Sequence, residues 1–354
     1  MERCDFLPVS AEEMHERGWW WYDALVVGGD AYVDHPSFGT AVISRVLEAE
    51  GLRVAVLAQP DWHDAEAFRA MGRPRLGVFI GAGNLDSMVA HYTAAKRRRS
   101  EDFYSPGKRS GCRPDRAAIV YCNRAREAFG PDMPIILGSL EASLRRFAHY
   151  DYWDDSVRRA ILFDAPADLL VYGMGEAATI EIAHRLKKKQ SVRTMTDIPG
   201  TGYITRDPSV CKFDHITLPS FEDVRDDKRL YAEATRTEYA EHDPIRGRAM
   251  IQPCEGRYLI INPPAMPLDT KELDRVAELP YTREWHPMYE PLGGVPAIEE
   301  VRFSVIHNRG CFGGCSFCTI SAHQGKFVSS RSEESVLDEV RKLTRMPGFK
   351  GYIS

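Results

Sequence analysis

The sequence predicts an α/β protein in three parts. These are a doubly wound parallel sheet of flavodoxin- or Rossmann-like order over residues 20–190, an irregular connecting region over 191–299, and the first β-α-β unit of a partial (βα)6 barrel over 300–354. Three observations carry this reading. Residues 22–189 alternate short apolar runs with amphipathic stretches, as strands of a parallel sheet covered by helices on both faces do. From about 190 that periodicity weakens and proline becomes frequent, as at Pro263, Pro264, Pro267, Pro280, Pro287, Pro291 and Pro296. At 302 a new apolar run begins, followed by a cysteine cluster and then by an amphipathic stretch that stops before Pro347 and Gly348.

The elements follow in order. Ala24, Leu25, Val26 and Val27 read as a buried strand that stops at Gly28 and Gly29, and a helix is expected from about Ser37, whose hydroxyl can cap it, to Gly51. Further strands are expected at 54–57, 76–80, 135–137 and 169–172, with helices near 84–96, 115–129 and 176–187. In such sheets ligands sit outside the carboxyl ends of the strands, so the loops 28–39, 81–84, 138–141 and 173–176 are the candidate binding loops. Their glycines also suit plain tight turns. No G-x-G-x-x-G follows the first strand, which argues against a dinucleotide site. In the connecting region one helix, 221–239, and one strand, 258–261, stand out. After it, 302–306 reads as a strand, Ser332 caps a helix carrying Val336, Leu337, Val340 and Leu343 on one face, and 351–354 begins a second strand.

Composition bounds the function. The 354 residues are 44% hydrophobic and 27% charged, ordinary for a soluble globular protein of two or three domains. There is no run of 18 apolar residues, and the first residues lack a secretory leader, so a cytoplasmic address with no membrane partner is expected. With a net charge of -5, any nucleic-acid contact needs a local patch. The loop 96–116, with Lys96, Arg97, Arg98, Arg99, Lys108, Arg109, Arg113 and Arg116 around Phe103 and Tyr104, is the candidate patch for RNA. A solvated basic loop is the plainer reading.

Of eight cysteines, Cys4, Cys112, Cys122, Cys211 and Cys254 are scattered, while Cys311, Cys315 and Cys318 fall within eight residues. The scatter fits reduced thiols, and the cluster fits a metal centre, because one tight loop brings its thiolates together with little loop-closure entropy. The spacing is C-x3-C-x2-C, with Gly310, Gly313 and Gly314 to turn the backbone around a bulky group and to donate amides to sulfur. Three thiolates would hold three irons of a 4Fe-4S cluster and leave the fourth open.

On these residues, with Phe317 as the aromatic before the last cysteine, the sequence resembles the radical SAM superfamily. Asp30 to Gly39, the run from Leu137 to Trp153, the stretch Tyr172-Gly173-Met174-Gly175-Glu176 and the stretch Ser329-Ser330-Arg331-Ser332 further resemble its YgiQ-type branch. The resemblance implies S-adenosylmethionine bound at the open iron, its one-electron cleavage to a deoxyadenosyl radical, an electron donor of flavodoxin or ferredoxin type, and an N-terminal domain like those that bind cobalamin. It names no substrate. It also implies that the glycine-rich SAM contact and the rest of the barrel follow the second strand, so that this chain is expected to be a piece that is inactive alone. Cobalamin is not expected here: the familiar ligand motif is D-x-H-x-x-G, whereas Asp34 and His35 are adjacent and Gly39 lies four further on. Two other readings compete. A methylthiotransferase-like RNA modifier would need a second cysteine triad, for which only Cys4, Cys112 and Cys122 are candidates, and a non-catalytic zinc module would use the three clustered cysteines with His307 or His323.

Overall fold

The computed structural model describes residues 5–353, so Cys4 lies outside the described residues. Nine strands form one sheet: β1 (Ala24–Gly28), β2 (Val54–Ala58), β3 (Gly77–Gly81), β4 (Ile135–Leu137), β5 (Leu169–Val171), β6 (Thr201–Thr205), β7 (His215–Thr217), β8 (Ala249–Cys254) and β9 (Arg257–Ile261). Their order across the sheet is β7-β8-β9-β6-β5-β4-β3-β1-β2. The first five strands pair in parallel in the order β2-β1-β3-β4-β5, which is the flavodoxin-like arrangement and decides what periodicity left open. β6 then joins β5 antiparallel, β9 joins β6 antiparallel, and β8 pairs antiparallel with β9 and parallel with β7. Residues 191–299, read from sequence as a connecting region with one strand, therefore supply four strands to the same sheet. Their signal was weak because β7 is only three residues long and Pro253 sits inside β8.

The period-two alternation of the parallel strands sorts their side chains onto two covered faces. Val26, Val56, Phe79, Ile136 and Val171 pack with Leu47 of helix α1 (Gly39–Ala49), and on the same face with Ala178, Ile182 and Leu186 of a later helix, Glu176–Lys187. Leu25, Val27, Ile80, Leu137 and Leu170 pack on the other face with Tyr121, Cys122 and Phe129 of helix α2 (Ala117–Phe129). The Glu176–Lys187 helix is α3. Two expectations shift locally. α1 starts at Gly39 with Phe38 rather than Ser37 before it and no side-chain cap, and the helix expected over 84–96 shortens to Ser87–His91, capped by Asp86.

The expected β-α-β unit is corrected. Residues 302–306 are not a strand: Arg302 closes a helical turn at Ile298–Val301, and the run's carbonyl oxygens go to arginines instead of a neighbouring strand. Arg283 Nη1 donates to the carbonyls of Arg302 at 3.3 Å and Ser304 at 3.1 Å, and Arg331 Nη1 donates to that of Ile306 at 3.3 Å. What forms instead is a short antiparallel ladder between Asn308–Arg309 and Ser329–Ser330, flanking the cysteines. The helix after Ser332 is present as α4 (Glu333–Leu343), with the Ser332 hydroxyl accepting from the Ser335 amide. Residues 351–353 form no strand, and Ser354 lies outside the described residues.

Candidate functional site

β1 has β2 on one side and β3 on the other, so the chain reverses its direction of growth across the sheet there and the loops leaving β1 and β3 part. Crevices at such a point bind ligands. Here the crevice deepens into a cavity of about 560 Å³ between the sheet, α1 and α3. Val26, Phe79, Ile136 and Val171 form its floor, Val42 and Ile43 one wall, and Thr179 the other. Three of the four candidate loops contribute Gly81, Gly138, Gly173 and Gly175, and the 28–39 loop contributes Pro36, Ser37 and Gly39. Ser139, also at the lip, holds a left-handed φ of 75°, a strained conformation for a residue with a side chain. Its hydroxyl accepts from the Ala82 amide at 3.1 Å, fixing the β3 and β4 loops together.

The roof of this cavity is the cysteine-bearing segment itself: Ile306, Asn308, Arg309, Ile320, His323 and Gln324. Arg309 ion-pairs with Glu176 Oε1 at the first turn of α3, and Glu176 is only 3% exposed. His323 Nδ1 lies 2.9 Å from Ser143 Oγ, which also accepts from the Gly173 amide at 3.1 Å and donates to the Ser139 carbonyl at 3.0 Å. His323 Nδ1 and the Ser143 hydroxyl share one hydrogen bond, with the ring nitrogen donating in the tautomer that leaves the hydroxyl proton on the Ser139 carbonyl. Burial lowers the His323 pKa to about 4, so the ring is neutral at pH 7. Gly173 has φ 72°, and a Cβ there would come within 3.2 Å of the His323 carbonyl oxygen, so the closeness of roof to floor depends on glycine.

The cysteines run outward from this roof. The Cys311 amide donates to the Gly325 carbonyl at 3.0 Å, and the Gly310 amide to Gln324 Oε1 at 3.0 Å. Gly313 donates its amide to Cys311 Sγ at 3.4 Å, and a Cβ on Gly313 would stand 3.3 Å from Cys311 Sγ and 3.8 Å from Cys315 Sγ. Two sulfurs thus flank one glycine. The third is not gathered with them: among the described residues no group of three His, Cys, Asp or Glu side chains is arranged to hold a metal ion. The donor set fits an iron-sulfur cluster in kind, since three free thiols lie within eight residues, one already receives an N–H···S bond, and glycine leaves room between two of them. Phe312 and Phe317 are 85% and 88% exposed, so the loop also presents apolar surface.

Other candidates fall elsewhere. Cys122 is fully buried in the core, where burial pushes its thiol far up, and Cys112 is half-buried with its thiol donating to the Arg109 carbonyl. Asp34 is buried against Arg45 and accepts from the Thr282 amide at 3.0 Å, while His35 accepts from the Ser37 amide at Nδ1 and lies 3.1 Å from Arg283 Nη1 at Nε2. Both nitrogens of His35 are engaged within the fold. In the basic loop, Arg113 is buried between Asp30 at 2.7 Å and Asp102 at 2.8 Å, and Arg116 pairs with Asp151 and Asp154. Lys96 donates to the Trp153 carbonyl, and its ammonium lies over the Tyr152 ring. His307 is exposed and contributes its carbonyl to the Arg331 amide. Sequence reasoning placed Glu176 at a candidate loop and weighed His323 as a zinc ligand, but gave no sign that Glu176 pairs with Arg309 or that His323 meets Ser143, because these contacts form only through long-range folding.

The fold and its roofed crevice define a mixed α/β protein with a large, mainly parallel sheet that carries a cysteine loop at the carboxyl edge of its parallel strands. The Radical SAM N-terminal family model matches residues 6–304, and the chain belongs to that family. Similar curated proteins are UPF0313 proteins of Clostridium botulinum strain 657, 53% identical over all of this chain and 55% of the relative, and of Clostridium perfringens strain SM101, 52% identical over all of this chain and 53% of the relative. The chain therefore spans about half the length of these relatives. Among solved structures, TsrM of Kitasatospora setae, a radical S-adenosylmethionine methyltransferase with tryptophan and a SAM analog bound, aligns with a TM-score of 0.48 at 18% identity over 90% of this chain and 45% of that one. The same enzyme with cobalamin and a [4Fe-4S] cluster aligns with a TM-score of 0.47 at 17% identity, again over 90% and 45%. No helix among the described residues is long and apolar enough to cross a membrane.

Proposed function

We propose that this chain forms the N-terminal half of a radical SAM enzyme, in which Cys311, Cys315 and Cys318 hold a 4Fe-4S cluster. The observation that carries the reading is the seating of the C-x3-C-x2-C loop as the roof of the sheet's ligand crevice, in a chain of the Radical SAM N-terminal family. When bound, such a cluster supplies the electron that cleaves S-adenosylmethionine to a deoxyadenosyl radical. The chain's own residues do the rest of what is proposed here. Gly313 donates its amide to the Cys311 sulfur, Gln324 pins the loop's start through the Gly310 amide, and Arg309 with Glu176 fastens the loop to α3. The partial barrel, the SAM contacts and the face that meets a flavodoxin- or ferredoxin-type donor are assigned to the portion of the relatives that this chain does not span. In this reading residues 20–190 form the N-terminal parallel-sheet domain, 191–299, expected as a connecting region, extend its sheet, and 300–354 begin the catalytic domain of a cytoplasmic enzyme. The reading gives cobalt no ligand from His35, which is engaged at both nitrogens, and leaves any RNA contact to the basic residues of the loop 96–116 other than Arg113 and Arg116, which pair with aspartates.

A methylthiotransferase-like reading is not favoured, because Cys122 is sealed in the core. Anaerobic reconstitution of the 354-residue chain with iron and sulfide tests the proposal. A brown protein with about four irons, losing most of its iron in each of Cys311→Ala, Cys315→Ala and Cys318→Ala, is the expected result. Colourless protein that takes up one zinc, or full iron in all three variants, overturns it. Incubated with dithionite and S-adenosylmethionine, the same chain is expected to form no deoxyadenosine above the Cys311→Ala control.

A further inference from the structure

The sheet extension carries a helix whose end meets the cysteine loop. This helix, Lys228–Glu241, is capped by Asp227, whose carboxylate accepts from the Arg229 amide, and its Tyr231 and Ala234 pack with Phe221, Val224 and Cys254. Its last turn touches the cysteine segment at two points. The Lys326 ammonium donates to the Tyr239 carbonyl at 2.8 Å and lies over the Tyr239 ring, 3.3 Å from its centroid. On the other side, a Cβ on Gly314 would stand 3.3 Å from the Tyr239 hydroxyl oxygen. Gly314 lies between Cys315 and Gly313, the glycine that the Cys311 and Cys315 sulfurs flank, so the phenol stands at the turn that would wrap the cluster. Tyr239 is 56% exposed, and among the described residues its hydroxyl has no hydrogen-bond partner. The carboxylate whose field reaches Lys326 is that of Asp243, and it accepts from the Ile245 amide at 2.8 Å and the Arg246 amide at 3.2 Å.

We infer that Tyr239 and Lys326 are a tuning pair for the cluster: the Tyr239 hydroxyl donates to a cluster sulfur, and the Lys326 ammonium, fixed over the ring, holds a positive charge beside it. The inference rests on the radical SAM reading. When the cluster takes one electron from a low-potential reductant, no bond forms or breaks, and the cluster with its thiolates gains one negative charge. A donor and a cation next to those sulfurs therefore favour the reduced form and raise the potential at which the electron is accepted. This also gives the antiparallel extension a task, because the helix between β7 and β8 is what brings Tyr239 to the loop.

Redox titration of the reconstituted 354-residue chain, followed by electron paramagnetic resonance, tests this with two variants. Tyr239→Phe keeps the ring under Lys326 and removes the hydroxyl, and Lys326→Met removes the charge. At a fixed potential the ratio of reduced to oxidised cluster is expected to fall about threefold in Tyr239→Phe and about tenfold in Lys326→Met, the latter a drop of about 59 mV in midpoint potential. Both variants are expected to hold as much iron and sulfide as the unsubstituted chain. Lys228→Met, about 17 Å back along the same helix, controls for a lost surface charge and is expected to leave the ratio unchanged. An unchanged ratio in either Tyr239→Phe or Lys326→Met, an equal fall in Lys228→Met, or loss of iron from Tyr239→Phe overturns the inference. Iron and sulfide in the unsubstituted chain separate the two claims: without a cluster the radical SAM reading and the inference fall together, and a cluster whose potential neither variant alters defeats only the inference.

Discussion

Glu141 has no exposed surface and accepts from the Ser87 amide at 3.0 Å, the Ser87 hydroxyl at 2.7 Å and the Ala118 amide at 3.2 Å. It thereby ties the first turn of α2 and the Asp86-capped turn to the short helix Ser139–Leu144 that follows β4. Burial raises its pKa, and the Asp86 carboxylate nearby pushes the same way. Glu141→Ala strands several buried donors at once and is expected to destabilise the protein by about 2–4 kcal/mol in urea titration. Gly310 poses a different demand. It holds φ 88°, and a Cβ there would overlap the Phe327 carbonyl oxygen. Gly310→Ala is therefore expected to lower the iron bound after reconstitution several-fold while leaving the urea midpoint of the sheet nearly unchanged. The cysteines and their glycines were legible because one local spacing encodes them. Glu141 was visible only as part of a motif, since its partners lie 23 and 54 residues away.

At the scale of elements, the parallel strands could be read from their apolar runs because burial on both faces leaves no polar alternation to confuse them. The 302–306 run misled for the same reason: an apolar stretch says that side chains are half-buried, not what its carbonyls bond to. The arbiter is Arg283, whose guanidinium reaches the Arg302 and Ser304 carbonyls, His35 and Glu339 of α4, while Arg331 grips Glu339 from the other side. Arg283→Ala is expected to raise amide hydrogen exchange of 302–306 and of α4 at least tenfold with little change in β1 to β5, because it removes the common donor of both segments. Uniform exchange across the chain would contradict this role.

For the whole molecule, acid stability follows from histidines buried in their neutral form. Burial lowers His35 to about 3 and His149, His242 and His323 to about 4, from an ordinary value of 6.5. Below pH 6.5 the unfolded chain binds protons at these sites while the folded chain does not, so stability falls as pH drops from 6.5 towards 4, by up to about 1.4 kcal/mol per pH unit for each histidine. Glu238, Glu141 and Asp30 work in the opposite sense, since burial raises all three, Glu238 to about 7, and their contribution fades as pH rises through the raised values. The four histidines lose their contribution together as pH falls below 6.5, and the urea midpoint is expected to be lower at pH 5.5 than at pH 7.5. The flavodoxin-like half of the fold was largely legible. The antiparallel extension through β6 to β9 was not, because its strands are short and their partners are set by tertiary pairing.

The roofed crevice also orders events in time. Its floor and walls have all been synthesised once Thr179 has been made, whereas Arg309 and the cysteines follow about 130 residues later. At roughly 5–20 residues per second, translation leaves the crevice uncovered for about 7–26 s. A nascent chain thus carries every floor and wall residue of the basin before Cys311, Cys315 or Cys318 leaves the ribosome. Small molecules already in the basin would be enclosed as the roof is synthesised, and the cysteine loop would be laid over them last.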